Sequence, residues 1–124
     1  NPLKNFYFKY IKKQNPYSLE AVEDLLSKFK KNVTLLKGNS NEILKNIELE
    51  NVDFVFIDGG HEYNTVKNDL IHSHKLLKNK GTILCDDLNL SQALGVRQAI
   101  KEFSDENKLK YEIIHERFAK FDFN

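Results

Sequence analysis

Val52-Asp53-Phe54-Val55-Phe56-Ile57-Asp58-Gly59-Gly60-His61 and, further on, Gly81-Thr82-Ile83-Leu84-Cys85-Asp86-Asp87-Leu88 are the stretches that decide the fold. Each is a short apolar run, rich in β-branched or aromatic residues, that ends in carboxylates. Apolar character that is continuous rather than alternating marks strands buried on both faces, as in a parallel sheet. Between the two runs, Val66, Leu70, Ile71, His74 and Leu77 recur at helical spacing, so the segment is a β-α-β unit. Its strands run the same way, and Asp58, Asp86 and Asp87 are expected at one carboxyl edge, where open α/β folds place ligands. Carboxylates gathered there repel one another unless a cation, a substrate or a proton intervenes. That edge is the candidate site.

Working outward, 124 residues suffice for a single domain, residues 1–124, with one core. Lys and Arg number 19 against 18 Asp and Glu, a net charge of +1, so no electrostatic argument favours a nucleic-acid partner. The only cysteine, Cys85, lies inside a predicted strand, which excludes a disulfide framework and fits a reducing, cytoplasmic setting. No apolar run approaches the ~18–20 residues that span a bilayer, and no signal peptide is visible, so no membrane partner is expected. The chain opens on Asn1 and contains no Met, as expected of a trimmed piece of a longer product.

In chain order, residues 1–15 mix Phe6, Tyr7, Phe8 and Tyr10 with lysines, an edge strand or amphipathic turn that packs on the domain. Such interleaving also suits single-stranded nucleic acid, the less favoured reading. Ser18 is placed to cap a helix over Leu19 to Lys30, with Ala21, Val22, Leu25, Leu26 and Phe29 as its apolar stripe. A strand is expected at Val33 to Lys37, then Gly38-Asn39-Ser40, with Ser40 capping a helix to Asn46. Ser91 is placed to cap a further helix ending near Asn107. Tyr111 to His115 and Phe118 to Phe123 alternate apolar and polar around Glu116-Arg117, the pattern of a β-hairpin. The expected architecture is α/β and Rossmann-like: a mostly parallel sheet with helices on both faces and a C-terminal antiparallel hairpin.

These residues resemble the class I methyltransferases that use S-adenosylmethionine, and within them the methyltransferase-24-type and small-molecule O-methyltransferase group. The resemblance runs from about Val33 to Phe123 and rests on Ile57-Asp58-Gly59-Gly60-His61-Glu62-Tyr63, on Leu84-Cys85-Asp86-Asp87, and on Asp69-Leu70 with Leu76-Leu77-Lys78-Asn79-Lys80-Gly81-Thr82. It implies that Lys37-Gly38-Asn39-Ser40 contacts the adenine of the cofactor, with Asp58 and Gly59 also lining its site. The glycine-rich loop with which such domains begin is not found, since the five glycines are Gly38, Gly59, Gly60, Gly81 and Gly95. The chain then corresponds to the C-terminal two-thirds of such a domain, or to a degenerate relative.

Asp58, Asp86 and Asp87 offer hard oxygen donors, which suit Mg²⁺, Ca²⁺ or Mn²⁺. The plainer alternative is that each carboxylate caps the turn that follows its strand. In the metal-dependent relatives the ion binds two substrate oxygens and lowers the pKa of the attacking hydroxyl. His61, three residues after Asp58, is the candidate general base, because Gly60 in the nearer position cannot act. Its alternative is a loop histidine stacked on Tyr63. Glu62, Tyr63 and Asn89 are candidates to line the pocket. His72 and His74 cannot share a helix face as metal ligands and are surface or packing residues; Cys85 is core.

The function implied is methyl transfer from S-adenosylmethionine to an oxygen of a small molecule, a sugar or phenol, with a divalent metal. Two alternatives stand beside it: a non-catalytic methyltransferase-like fragment or interaction module, and a related metal-dependent hydroxylase. A homodimer covering an open sheet edge is a further expectation.

Overall fold

The structure, a computed structural model, describes residues 18–77 and 80–124. The expected packing of residues 1–15 and the turn at residues 15–17 lie outside this range. Contacts divide the chain into two units, Asn1–Gly38 and Asn39–Asn124.

In the first unit, α1 spans Leu19–Leu25, and the Ser18 hydroxyl accepts from the Ala21 N–H at 3.1 Å, the expected N-cap. The helix stops five residues short of Lys30 and continues as a single 3₁₀ turn at Ser27–Phe29. Ser27 Oγ donates to the Asp24 carbonyl at 2.8 Å, a local bond that competes with the helical ladder. The stripe's Leu25 and Phe29 stay exposed, so packing does not hold the last turn in register. Residues 33–37 form no strand: no ladder partner lies beside them among the described residues.

The second unit holds α2 (Ser40–Asn46), β1 (Phe54–Ile57), α3 (Tyr63–Leu77), β2 (Gly81–Cys85), α4 (Leu94–Asn107), β3 (Glu112–Ile114) and β4 (Phe118–Phe123). The sheet order is β1-β2-β4-β3. β1 and β2 are parallel, as the β-α-β unit requires, while β4 runs antiparallel to both β2 and β3. The described sheet is therefore mixed and mostly antiparallel, not mostly parallel. The hairpin does not merely finish the sheet; its strand β4 lies directly on β2, and two of the three pairings are antiparallel for that reason.

Register explains the core. Val55, Ile83 and Phe121 align across the sheet, as do Ile57, Cys85 and Ala119, and Gly81 faces Phe123. These residues share one face and pack with Val66, Leu70 and Leu77 of α3 and with Val96, Ala99, Ile100 and Phe103 of α4 in one cluster. Phe103 meets Phe121 edge-on at 5.3 Å between centroids. His74 stacks on Phe123 at 4.6 Å and meets Phe103 at 5.7 Å, so it is a packing residue. On the opposite face, Phe54 and Phe56 remain 55% and 48% exposed. Within this unit α3 and α4 thus cover one face of the sheet, not both.

Two capping expectations shift. Asn39, not Ser40, caps α2, with its Oδ1 accepting from Asn41 N–H at 2.9 Å. The fourth helix begins at Leu94 rather than after Ser91, because successive turns, Leu90 N–H to the Asp87 carbonyl and Ala93 N–H to the Leu90 carbonyl, occupy the intervening chain.

Candidate functional site

The carboxyl edge of β1 and β2 is where the sequence placed it. Ile57 and Cys85 pair in register, and the Asp86 N–H extends the ladder by donating to the Ile57 carbonyl at 2.9 Å. Asp58 and Asp86 therefore leave the sheet side by side. Asp87 follows in a left-handed conformation, φ 62°, and its N–H donates to Asp86 Oδ1 at 2.6 Å. One carboxylate oxygen from each of Asp58, Asp86 and Asp87 lies within 4.8 Å of the others. Asp86 is buried, Asp87 half-buried and Asp58 exposed.

A cation that the sequence reading passed over sits among them. Arg117 grips Asp86 with two parallel bonds, Nε to Oδ1 and Nη2 to Oδ2, each 2.6 Å. In the sequence, Glu116-Arg117 stands out only as the separator of the hairpin's two strands. Ile114-His115-Glu116-Arg117 is the tight turn itself, closed by Arg117 N–H to the Ile114 carbonyl at 3.1 Å, with φ of 51° and 55° at His115 and Glu116. Positive φ at both central positions matches the twist of a hairpin but is costly without glycine. The tip is tied to the site by Leu88 N–H to the Arg117 carbonyl at 2.9 Å and by Asn89 Nδ2 to the Glu116 carbonyl at 2.5 Å. Arg97 of α4 in turn bonds Asn89 Oδ1. The Arg117 hydrogen bonds hold the Asp86 carboxyl below the ordinary carboxylate range, against the effect of burial. Asp87, Asn89, Leu90, Glu116 and Arg117 line an open groove of about 370 Å³.

His61 reaches the same edge, with Nε2 at 2.9 Å from Asp87 Oδ2 and its side chain about half exposed. Tyr63 turns instead to Glu102 of α4, and Lys67 joins Glu102 and Glu106, pinning the start of α3 to α4. Gly95 makes that contact close. A Cβ there would meet the Tyr63 nitrogen at 2.7 Å and the His61 carbonyl at 3.1 Å. Nothing in the sequence marked Gly95, because its reason is a backbone that arrives from the preceding loop.

The cofactor candidates fall in two places. Gly38 ends the first unit with φ 148°, a glycine conformation. Ser40 and Gly59 belong to the second unit and share a neighbour, Asp69 of α3. Burial raises the Asp69 carboxyl, and a hydrogen bond from Ser40 partly offsets this. A Cβ on Gly59 would lie 3.7 Å from Asp69 Oδ2, an ordinary contact, so its backbone is open rather than strained. Asp69 is 6% exposed, and its Oδ1 has no hydrogen-bond partner among the described residues. A buried acceptor left without a donor is costly, and beside these residues it fits a ligand that carries N–H or O–H groups. Asn39 is spent on capping α2.

The donor set at the carboxyl edge fits a hard divalent cation, since its oxygens are close enough to converge on one ion. Cys85 takes no part: burial and the surrounding carboxylates push its thiol up to about 12, so it stays protonated. His72, on α3, lies outside this constellation, its pKa lowered first by burial.

Comparisons with known proteins bear on the family and the fold. Residues 7–88, more than half of the chain, match a family described as a methyltransferase domain, the methyltransferase-24 type. No curated protein matches the chain in sequence. Among solved structures, the O-methyltransferase NovP superposes with a TM-score of 0.71 at 13% identity, covering 86% of this chain and 45% of NovP. The apo structure of CalS11, a TDP-rhamnose 3′-O-methyltransferase of calicheamicin biosynthesis, gives 0.59 at 18% identity, covering 89% and 52%. At these identities the likeness shows the fold, and the chain spans about half the length of each structure.

Proposed function

The chain belongs to the methyltransferase-24 type of methyltransferase domains, and on that premise we propose that it transfers a methyl group from S-adenosylmethionine to an oxygen of a small molecule, with a divalent cation at the carboxyl edge of β1 and β2. The observation that carries this reading is the convergence of Asp58, Asp86, Asp87 and His61 on one edge beside an open groove. The O-methyltransferase fold shared with NovP and CalS11 supports oxygen as the acceptor atom, and the sugar acceptor in the name of CalS11 supports a small-molecule substrate.

S-adenosylmethionine, when bound, supplies an electrophilic methyl carbon on a sulfonium. A divalent ion, when bound, supplies Lewis acidity that lowers the pKa of a hydroxyl. The rest falls to the chain. Asp58, Asp86 and Asp87 hold the cation. Ser40, Asp58 and Gly59 would contact the methyl donor, and Asp69, beside Ser40 and Gly59, would accept one of its N–H or O–H groups. With Nε2–H tied to Asp87, His61 presents Nδ1 as the nitrogen that takes the acceptor's proton. The groove lined by Asn89 and Leu90 orients the acceptor, and orientation is most of what an in-line methyl transfer needs.

The test is His61→Ala, assayed with hydroxylated small molecules and labelled S-adenosylmethionine. The rate should fall by about 10²-fold or more, the usual contribution of a general base, with cofactor affinity unchanged. An unchanged rate removes His61 as the base.

A further inference from the structure

We infer that Arg117 is a tethered cation that competes with the divalent ion for Asp86, so that the hairpin neutralises the site when no ion is bound and yields Asp86 when one binds. The inference rests on the cation-site reading above and adds a residue to it.

Asp86 is the carboxylate that most needs a partner, because its side chain is only 3% exposed. An isolated charge at such a position is strongly unfavourable unless it is paired. A carboxylate offers roughly four lone-pair sites. Arg117 takes one on each oxygen, and the Asp87 N–H takes another on Oδ1. Little of Asp86 is then left for a metal. The charges of Asp87 and Asp58 also act on Arg117. One lone pair on Oδ2 remains open, but an ion that takes it meets the guanidinium's charge, so the two cations repel each other and compete for Asp86.

Local structure permits that exchange. The Arg117 backbone is held by the tight turn and by the Leu88 and Asn89 bonds, so the hairpin need not move. The side chain is 60% exposed and lies over Phe118, its guanidinium carbon 5.0 Å from the ring centroid. It has a path to water and an aromatic face on which to rest.

The experiment is calorimetric titration of MgCl₂ and MnCl₂ into the protein and into Arg117→Gln and Arg117→Lys, with thermal midpoints measured with and without ion. Arg117→Gln should bind the ion at least tenfold more tightly than the parent, and should lose thermal stability that the ion restores. Arg117→Lys keeps the charge but not the planar fork, and should tighten binding several-fold. If Arg117→Gln does not fold, Arg117→Lys carries the comparison. Equal ion affinity in parent and variants overturns the inference while leaving the cation site standing. No ion binding by any of them overturns both; S-adenosylmethionine binding, measured in parallel, then decides whether the methyl-transfer reading survives.

Discussion

Arg117 and Asp86 meet through two bonds of 2.6 Å across a separation of 31 residues, and through them the hairpin becomes part of the site. The pair joins an exposed side chain to a buried one. Its consequences for stability follow from the buried partner, since Asp86 is the group that cannot turn to water.

Asp86→Asn tests this through pH. The Asp86 carboxyl is held below its ordinary range in the folded state. A depressed carboxylate contributes stability that is fully present above its unfolded pKa, about 3.9, and is lost as pH falls through the lower folded value. The parent should therefore lose stability steeply below pH ~4, and Asp86→Asn should show a shallower acid limb and a lower midpoint at neutral pH. Urea midpoints across that range make the measurement; coincident acid limbs would contradict it.

His74 predicts a second titration at higher pH. Burial lowers its pKa from 6.5, and it sits against Phe103 and Phe123. A group whose folded pKa is depressed stabilises fully above its unfolded value and progressively less as pH falls toward the folded one. Stability should decline between about pH 7 and pH 5, the range where histidine titrates. Phe at position 74 keeps a ring in the stack and removes the proton, so His74→Phe should reduce that slope. His72, also lowered by burial, acts in the same direction.

Much of this arrangement was legible in the sequence, and the rest shows where single-chain patterns stop. The β-α-β unit was readable because its apolar runs, helical spacing and terminal carboxylates are local. The hairpin was readable from alternation around Glu116-Arg117. Arg117 itself was not, because its partner depends on β4 crossing to lie on β2, a pairing that no local pattern encodes. The missing strand at residues 33–37 and the mostly antiparallel sheet have the same origin: pattern predicts a strand, but only a neighbour makes a ladder. Asn39 and Ser40 differ by one position because both residue types cap well. Asp69 does not stand out as a site residue in the sequence, since its burial beside Ser40 arises only once α2 packs on α3.

Gly95→Ala should injure the site from a distance. Its new Cβ would stand 2.7 Å from the Tyr63 nitrogen and 3.1 Å from the His61 carbonyl, backbone atoms that cannot swing aside. Overpacking of this kind costs about 1–3 kcal/mol. The histidine should move off Asp87, so methyl transfer falls further than stability alone explains, while divalent-ion binding changes less. Calorimetry and turnover on one preparation separate the two effects, and a variant with parental activity would mean that α4 does not position His61.

The methyl-donor site proposed beside Ser40, Gly59 and Asp69 is open to direct measurement. Calorimetric titration of the protein with S-adenosylmethionine, with and without Mg²⁺, and of Asp69→Ala alongside, tests it most directly. The account predicts saturable one-site binding by the parent, weakened about tenfold or more in Asp69→Ala, in keeping with a hydrogen bond of about 1.5–3 kcal/mol to a charged group. A parent that binds no S-adenosylmethionine under either condition would contradict it.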